Sequence, residues 1–400
     1  MYSLLLAVIY TAFISLGLPD ALLGASWPVM QKDFGVPISY AGRISMIIAA
    51  GTVVSSLLSH RLTKKLGTGK VTAASVFLTG AALFGFSVSG AFPLLCLWAV
   101  PYGLGAGAVD AALNNYVALH YKARHMSWLH CFWGVGAALG PSIMGAALED
   151  GGSWQKGYRI VSILQLVLTL LLFLTLPLWK GQRQEQTPQA APSERSSGHA
   201  ASFKEMLRLP GVPFVLICFF SYSAIEQTSV LWASSYLVQS RGVEETLAAG
   251  FGALFVAGIT AGRLASGFIA EKLGDRHMIR IGIALVLLGA LLVFLPLTAD
   301  SLALGGLVLM GIGCAPIYPA IIHATPGNFG AENSGSIIGV QMAAAYIGTT
   351  LAPPLFGLIA QYFHIGLYPF YILLFGLVMC FTSEGLNRQV RARKNAERGI

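Results

Sequence analysis

The sequence predicts an all-α membrane protein with twelve transmembrane helices in two pseudo-symmetric six-helix bundles. Three observations predict it: a dozen long apolar stretches, a one-sided distribution of cations, and an internal repeat. Of the 400 residues, 55% are hydrophobic and only 10% charged, against about 25% charged in soluble domains. Most of the chain therefore faces something other than water. Each stretch is near the roughly 20 residues that cross a bilayer as a helix. Lipid leaves no bare backbone unsatisfied, and strict polar–apolar alternation is absent, so these are helices rather than barrel strands.

The expected spans are 4–30, 38–59, 70–89, 93–119, 127–148, 158–179, 211–238, 246–270, 278–297, 301–324, 334–362 and 367–386. The first apolar run has no preceding basic residue and is too long for a signal-peptide core, so it reads as a retained helix. Gln182–Ala201 is the only long polar stretch, rich in Gln, Pro, Ser and Ala, and reads as a flexible linker. The expected organisation is a first bundle (1–180), a linker (181–209), a second bundle (210–388) and a basic tail (389–400). The five cysteines lie inside spans without metal or redox spacing and read as buried small apolar residues. No cofactor or metal is expected.

The charge of +8 is distributed by side. Counting connections alternately, 19 Lys and Arg fall on the side holding both termini and four on the other; Arg43 and Arg263 fall within spans. The positive-inside rule makes the first side cytoplasmic, as in a bacterial inner membrane. The basic tail reads as a topology anchor, not a nucleic-acid site.

The halves repeat. Ala50-Gly51…Ser59…Lys65-Leu66-Gly67 recurs as Ala257-Gly258…Ser266…Lys272-Leu273-Gly274, 207 residues later. Gly103 and Gly105 answer Gly311 and Gly313; Gly136 and Leu139-Gly140-Pro141 answer Gly348 and Leu351-Ala352-Pro353. Such parallel repeats place a site between two bundles near midplane, and Gly103 with Gly107 makes a small-residue seam.

Only Asp20, Asp110 and Glu226 among the acids lie deep inside spans. A charge there costs about 3 kcal/mol on insertion scales, which makes each a functional candidate; pairing with Arg43 or Arg263 is the structural alternative. Both arginines read as nearer the span ends, in packing or snorkelling roles. Asp20 sits in a loosened stretch, Gly17-Leu-Pro-Asp20-Ala-Leu-Leu-Gly24. Asp110 and Asn114 share one helix face. Tyr222, Glu226, Ser229 and Tyr236 form one polar stripe, expected to face the central cavity. Proton coupling needs a buried carboxylate whose proton affinity shifts with its surroundings, which Asp20 and Asp110 supply. Sugar binding needs hydroxyl partners and aromatic faces, which Asn114, Asn115, His130, Trp133, Tyr222, Glu226, Gln227, Trp232, Gln341 and Tyr346 supply.

Gly267-Phe-Ile-Ala-Glu271-Lys272-Leu-Gly274-Asp275-Arg276 resembles the loop signature between helices eight and nine of the major facilitator superfamily. The resemblance implies alternating access and a latch at this loop, with Glu271, Lys272, Gly274 and Arg276 as gating residues and Arg263 grouped with them. The first-half copy departs from the pattern, with His60 where Gly is usual and Lys64 where the acid is usual. Asp110-Ala-Ala-Leu-Asn114-Asn115, the Leu129–Pro141 run and the Tyr222–Leu237 run are similar to the fucose/glucose–galactose permease family, with Asn115 in place of its proline. That resemblance implies sugar:proton symport, with Asp20 and Asp110 in coupling. The expectation is a functionally monomeric transporter of a small solute, a sugar, coupled to H⁺. The same residues admit sodium as the ion, and proton-driven efflux of drugs or metabolites in place of uptake. Loops too short for a catalytic domain argue against an enzyme.

Overall fold

A computed structural model describes residues 2–20, 22–37, 40–149, 153–180, 203–295 and 300–397. The helices are α1 (Tyr2–Gly17), α2 (Leu22–Asp33), α3 (Tyr40–Leu66), α4 (Thr68–Val88), α5 (Phe92–His120), α6 (Ala123–Leu148), α7 (Trp154–Leu174), α8 (Leu176–Lys180), α9 (Phe203–Arg208), α10 (Val212–Arg241), α11 (Glu245–Leu273), α12 (Asp275–Phe294), α13 (Asp300–Phe329), α14 (Ala331–Tyr362) and α15 (Tyr368–Glu397). Among the described residues, twelve segments are long and apolar enough to cross a membrane. Leu97, Val167, Leu170 and Leu374, each more than half exposed, belong to the outer surface that lipid would cover.

Several limits differ from expectation. The first span is two helices: Pro19 has no N–H to continue the ladder, and the chain turns through Leu18–Asp20 before α2. The sixth span starts at Trp154, capped by the Ser153 hydroxyl, and breaks at Thr175. The last helix runs on to Glu397, so most of the expected tail is helical. Residues 181–202 of the expected linker, and the tail after 397, lie outside the described residues; the linker's end forms α9.

Helices α1 and α3–α7 pack among themselves, as do α10–α15. The internal repeat is written into this packing. Gly51 of α3 lies against Gly103 of α5, and Gly258 of α11 lies against Gly311 of α13. A side chain at Gly103 would run into the Ile48 carbonyl, and one at Gly311 into the equivalent Phe255 carbonyl. Gly107 extends the first seam onto the Thr52 carbonyl. Gly136 likewise seats α6 against α1, as Gly348 seats α14 against α10. Even the joints match: Gly67 (φ 85°) links α3 to α4 and Gly274 (φ 75°) links α11 to α12, both in a backbone region glycine enters freely.

The bundles meet through α3, α5 and α6 on one side and α11, α13 and α14 on the other. Their meeting runs from midheight to the ends of the helices rich in Lys and Arg, here called the basic face. Glycine makes it close: side chains at Gly335 and Gly339 would strike His60 and the Ser56 carbonyl.

Candidate functional site

The turn after α1 carries Asp20. Gly17, one turn earlier, has no side chain to hold α1 off the Trp133 carbonyl. This brings the Trp133 indole alongside, and its Nε1 donates to Asp20 Oδ2 at 2.9 Å. Tyr102, just after Pro101 within α5, donates to Oδ1 at 3.2 Å. Asp20 is nevertheless exposed, so it lines a space open to solvent on the side away from the basic face.

Asp110 is placed differently. It lies eight residues beyond Tyr102 on α5, roughly 12 Å nearer the basic face at the helical rise, and is 6% exposed. Asn114 Nδ2, one turn on, donates to Asp110 Oδ1 at 2.8 Å. His130 Nε2 donates to Asn114 Oδ1 at 3.0 Å, fixing the amide's orientation. From the other bundle, the Tyr346 hydroxyl donates to Asp110 Oδ2 at 2.6 Å. This bond spans the bundle interface and caps the carboxylate.

The second bundle contributes Arg263 and Glu226. Arg263 lies ten residues from the end of α11 and is 3% exposed, so it is neither near a span end nor snorkelling. It does not belong with the loop at the end of α11: the packing of α11 against α6, α10 and α13 buries it between the bundles. Its Nη2 donates to the Tyr222 hydroxyl at 3.1 Å and to Glu226 Oε1 at 3.4 Å. The guanidinium carbon lies 5.7 Å from the centroid of the Trp133 ring and 6.0 Å from that of Tyr318. Arg43 is exposed and stacks on Tyr40 near the start of α3, as an end residue does.

Other candidates separate from this cluster. Ser229 and Tyr236 do not face the cavity: the Tyr368 hydroxyl bonds Ser229 at 2.8 Å, and the Tyr236 hydroxyl donates to the Val293 carbonyl at 3.2 Å, both inside the second bundle. Gln341 is fully buried and bonds Thr325 at 3.1 Å. Trp232 Nε1 donates to the Pro353 carbonyl at 2.9 Å. Gln227 is half-buried and bonds to no described residue. Asn115 accepts from the Ser334 hydroxyl at 2.8 Å across the bundle interface. Tyr102 and Tyr318 were missed from sequence; each adjoins a proline inside a helix, the one local signal that marked them.

At the basic face, Glu271 takes the Arg124 fork, with Nη2 at 2.7 Å and a second bond from Nε, and Lys122 lies 3.6 Å away. These pairs tie the bundles together, as do Trp128 Nε1 to the Leu264 carbonyl at 3.3 Å and His323 Nε2 to the Tyr121 carbonyl at 3.3 Å. Asp275 steadies His323 at 2.8 Å. Arg276 stays within its own bundle, on Asn387 at 3.0 Å, and Lys272 is exposed without a described partner. Gly274 serves as the joint already described. Among the described residues, no group of side chains could hold a metal ion.

Residues 9–308 and 252–396 match the family described as Major Facilitator Superfamily. The chain is 25% identical to an uncharacterised transporter, y4wD, of Sinorhizobium fredii, over 92% of this chain and 96% of that one. It is 23% identical to the hexuronate transporter of Bacillus subtilis, over 94% and 91%. It matches "Bypass of stop codon protein 6" of Saccharomyces cerevisiae at 23%, over 65% of this chain and 56% of that protein. Its fold is similar to the crystal structure of the E. coli fucose:proton symporter FucP, with a TM-score of 0.75 at 17% identity, over 97% and 99% of the two chains. The proton:xylose symporter XylE gives 0.73 at 13% identity, over 96% and 95%. The chain belongs to the Major Facilitator Superfamily: it is a multi-pass membrane transporter and not an enzyme.

Proposed function

We propose that this superfamily member takes up a monosaccharide or related polyol together with a proton, by alternating access. The basic face is cytoplasmic, both termini lie inside, and the protein resides in the inner membrane as a functional monomer. The observation that carries the coupling is the Tyr346–Asp110 bond, 2.6 Å long and shared between bundles. Opening toward the basic face requires the bundles to part there, which removes Tyr346 from Asp110 and admits water to the carboxyl, giving a carried proton its exit on that side. Asp20 meets the space on the opposite side in the present conformer, so the two acids are offered to opposite sides of the membrane in turn.

The solute would bind between Trp133, Tyr222, Glu226 and Tyr346, where aromatic faces and hydrogen-bonding groups of both bundles converge. The sugar symporters that share the fold, and the hexuronate transporter among the relatives, support a sugar-like solute. The test is proton movement in sodium-free proteoliposomes. Adding one monosaccharide from a panel should alkalinise the outside in the native protein and not in Asp110→Asn. A response that needs sodium replaces the proton; activity on drugs alone removes the sugar.

A further inference from the structure

Three Arg–Glu pairs occur among the described residues, and one of them differs in kind. Arg124 meets Glu271, and Arg280 meets Glu384, fork to fork: Nε and Nη2 each bond a separate carboxylate oxygen, at 2.6 and 2.7 Å in the second pair. Two parallel bonds are the arrangement in which guanidinium and carboxylate match best. Arg263 is more deeply buried than either, yet its fork is unfilled. Glu226 touches only Nη2, at 3.4 Å through one oxygen, and the buried Nε has no hydrogen-bond partner. A buried donor without an acceptor is costly, and native interiors seldom keep one. The surroundings hold the guanidinium in place without satisfying it: Tyr222 takes one Nη2 bond, and the rings of Trp133 and Tyr318 flank it. Trp133 comes from the first bundle and carries Asp20 on its indole N–H, so the unfilled fork lies at the central meeting of the bundles. Glu226 keeps 14% of its side chain exposed, which marks the side from which the fork can be reached.

We propose that Arg263 anchors a carboxylate on the transported solute, which makes the solute a sugar acid rather than a neutral sugar. The proposal rests on the uptake reading above and narrows it. The incoming carboxylate occupies Nε and Nη2 of Arg263 and displaces Glu226 from its single contact. Arg263 supplies the countercharge that such an anion needs at this depth. The hydroxyls of such a solute fall toward Tyr222 and Tyr346.

The experiment is counterflow in proteoliposomes with labelled D-galacturonate and with labelled D-galactose. The native protein should exchange galacturonate with a half-saturation at least tenfold below that for galactose. Arg263→Gln should lose at least tenfold in galacturonate affinity, with Arg263→Lys recovering only part, since a lysine offers charge but no fork. Glu226→Gln, which frees the fork without removing it, should tighten galacturonate binding. That variant and the native comparison decide the matter even if Arg263→Gln does not fold. Equal handling of the two sugars by the native protein, or native galacturonate affinity in a folded Arg263→Gln, overturns the anchor and leaves sugar uptake standing. Exchange of neither compound overturns both.

Discussion

The two bundles are built alike and equipped differently. Gly51 on Gly103 and Gly258 on Gly311 set the same helix approach in each, and Gly67 and Gly274 make the same joint. At midheight the likeness ends. The first bundle presents two carboxylates, Asp20 and Asp110, surrounded by neutral donors: Tyr102, Trp133, Asn114 and, from across the interface, Tyr346. The second presents a cation, Arg263, with Glu226 beside it. A repeat thus fixes backbone approach, which depends on the absence of side chains, while the polar groups projecting into the shared space are free to diverge. On the proposed function, the division of labour is a proton-handling bundle facing a solute-holding one.

The strongest way to separate those roles is at the acids. Asp110→Asn should bring proton-driven accumulation down to simple equilibration while solute exchange persists; accumulation that survives in vesicles would remove coupling from the first bundle. Next come the seams, where the bundles should respond alike. Gly103→Ala and Gly311→Ala each push a methyl into a backbone carbonyl, and overpacking of this kind costs about 1–3 kcal/mol. Thermal unfolding in detergent should show both variants clearly destabilised, and a large loss in one alone would break the equivalence. A smaller effect is expected at the latch. Glu271→Gln removes the charged partner of Arg124 and Lys122 across the interface. An exposed pair is worth up to about 1 kcal/mol, so populations should shift roughly fivefold toward a parted basic face, read as longer distances between spin labels at positions 65 and 272. Lys64→Gln, at the matching place in the first bundle, should shift nothing. The smallest difference lies between Gly51→Ala and Gly258→Ala. The added carbon would sit 3.1 Å from backbone in the first and 3.4 Å in the second, so the first should be less stable by under about 1 kcal/mol.

What the sequence disclosed follows from what is local. Spans, the repeat and the Asp110–Asn114 face are set by composition and spacing along one chain, and all are visible without a structure. A loosening at Asp20 is also legible, because Pro19 acts on its own helix, although the full break into α1 and α2 is not. Arg263 lies deeper than its sequence suggests because linear distance from a helix end says nothing of which neighbouring helices cover it. Ser229 and Tyr236 were assigned to the cavity because periodicity names a helix face but not what packs against that face; α15 and α12 do. Tyr102 and Tyr318 carry no charge and stand in apolar helices, so only the company they keep in space distinguishes them. The bonds described between bundles, from Tyr346–Asp110 to Arg124–Glu271, join residues more than a hundred positions apart, beyond the reach of any pattern in one sequence.

The single-glycine joints have a mechanical consequence. One residue contributes roughly 3.5 Å of chain, less than one helical pitch, so α3 has almost no slack to slip along α4, nor α11 along α12. Each pair is a stiff lever. A small displacement where Glu271 lets go of Arg124 is carried along the 29 residues of α11, roughly 43 Å at the helical rise, to the far mouth of the protein. Inserting two or three flexible residues at Gly274 would loosen that lever and uncouple the two ends, leaving every group of the proposed solute site in place.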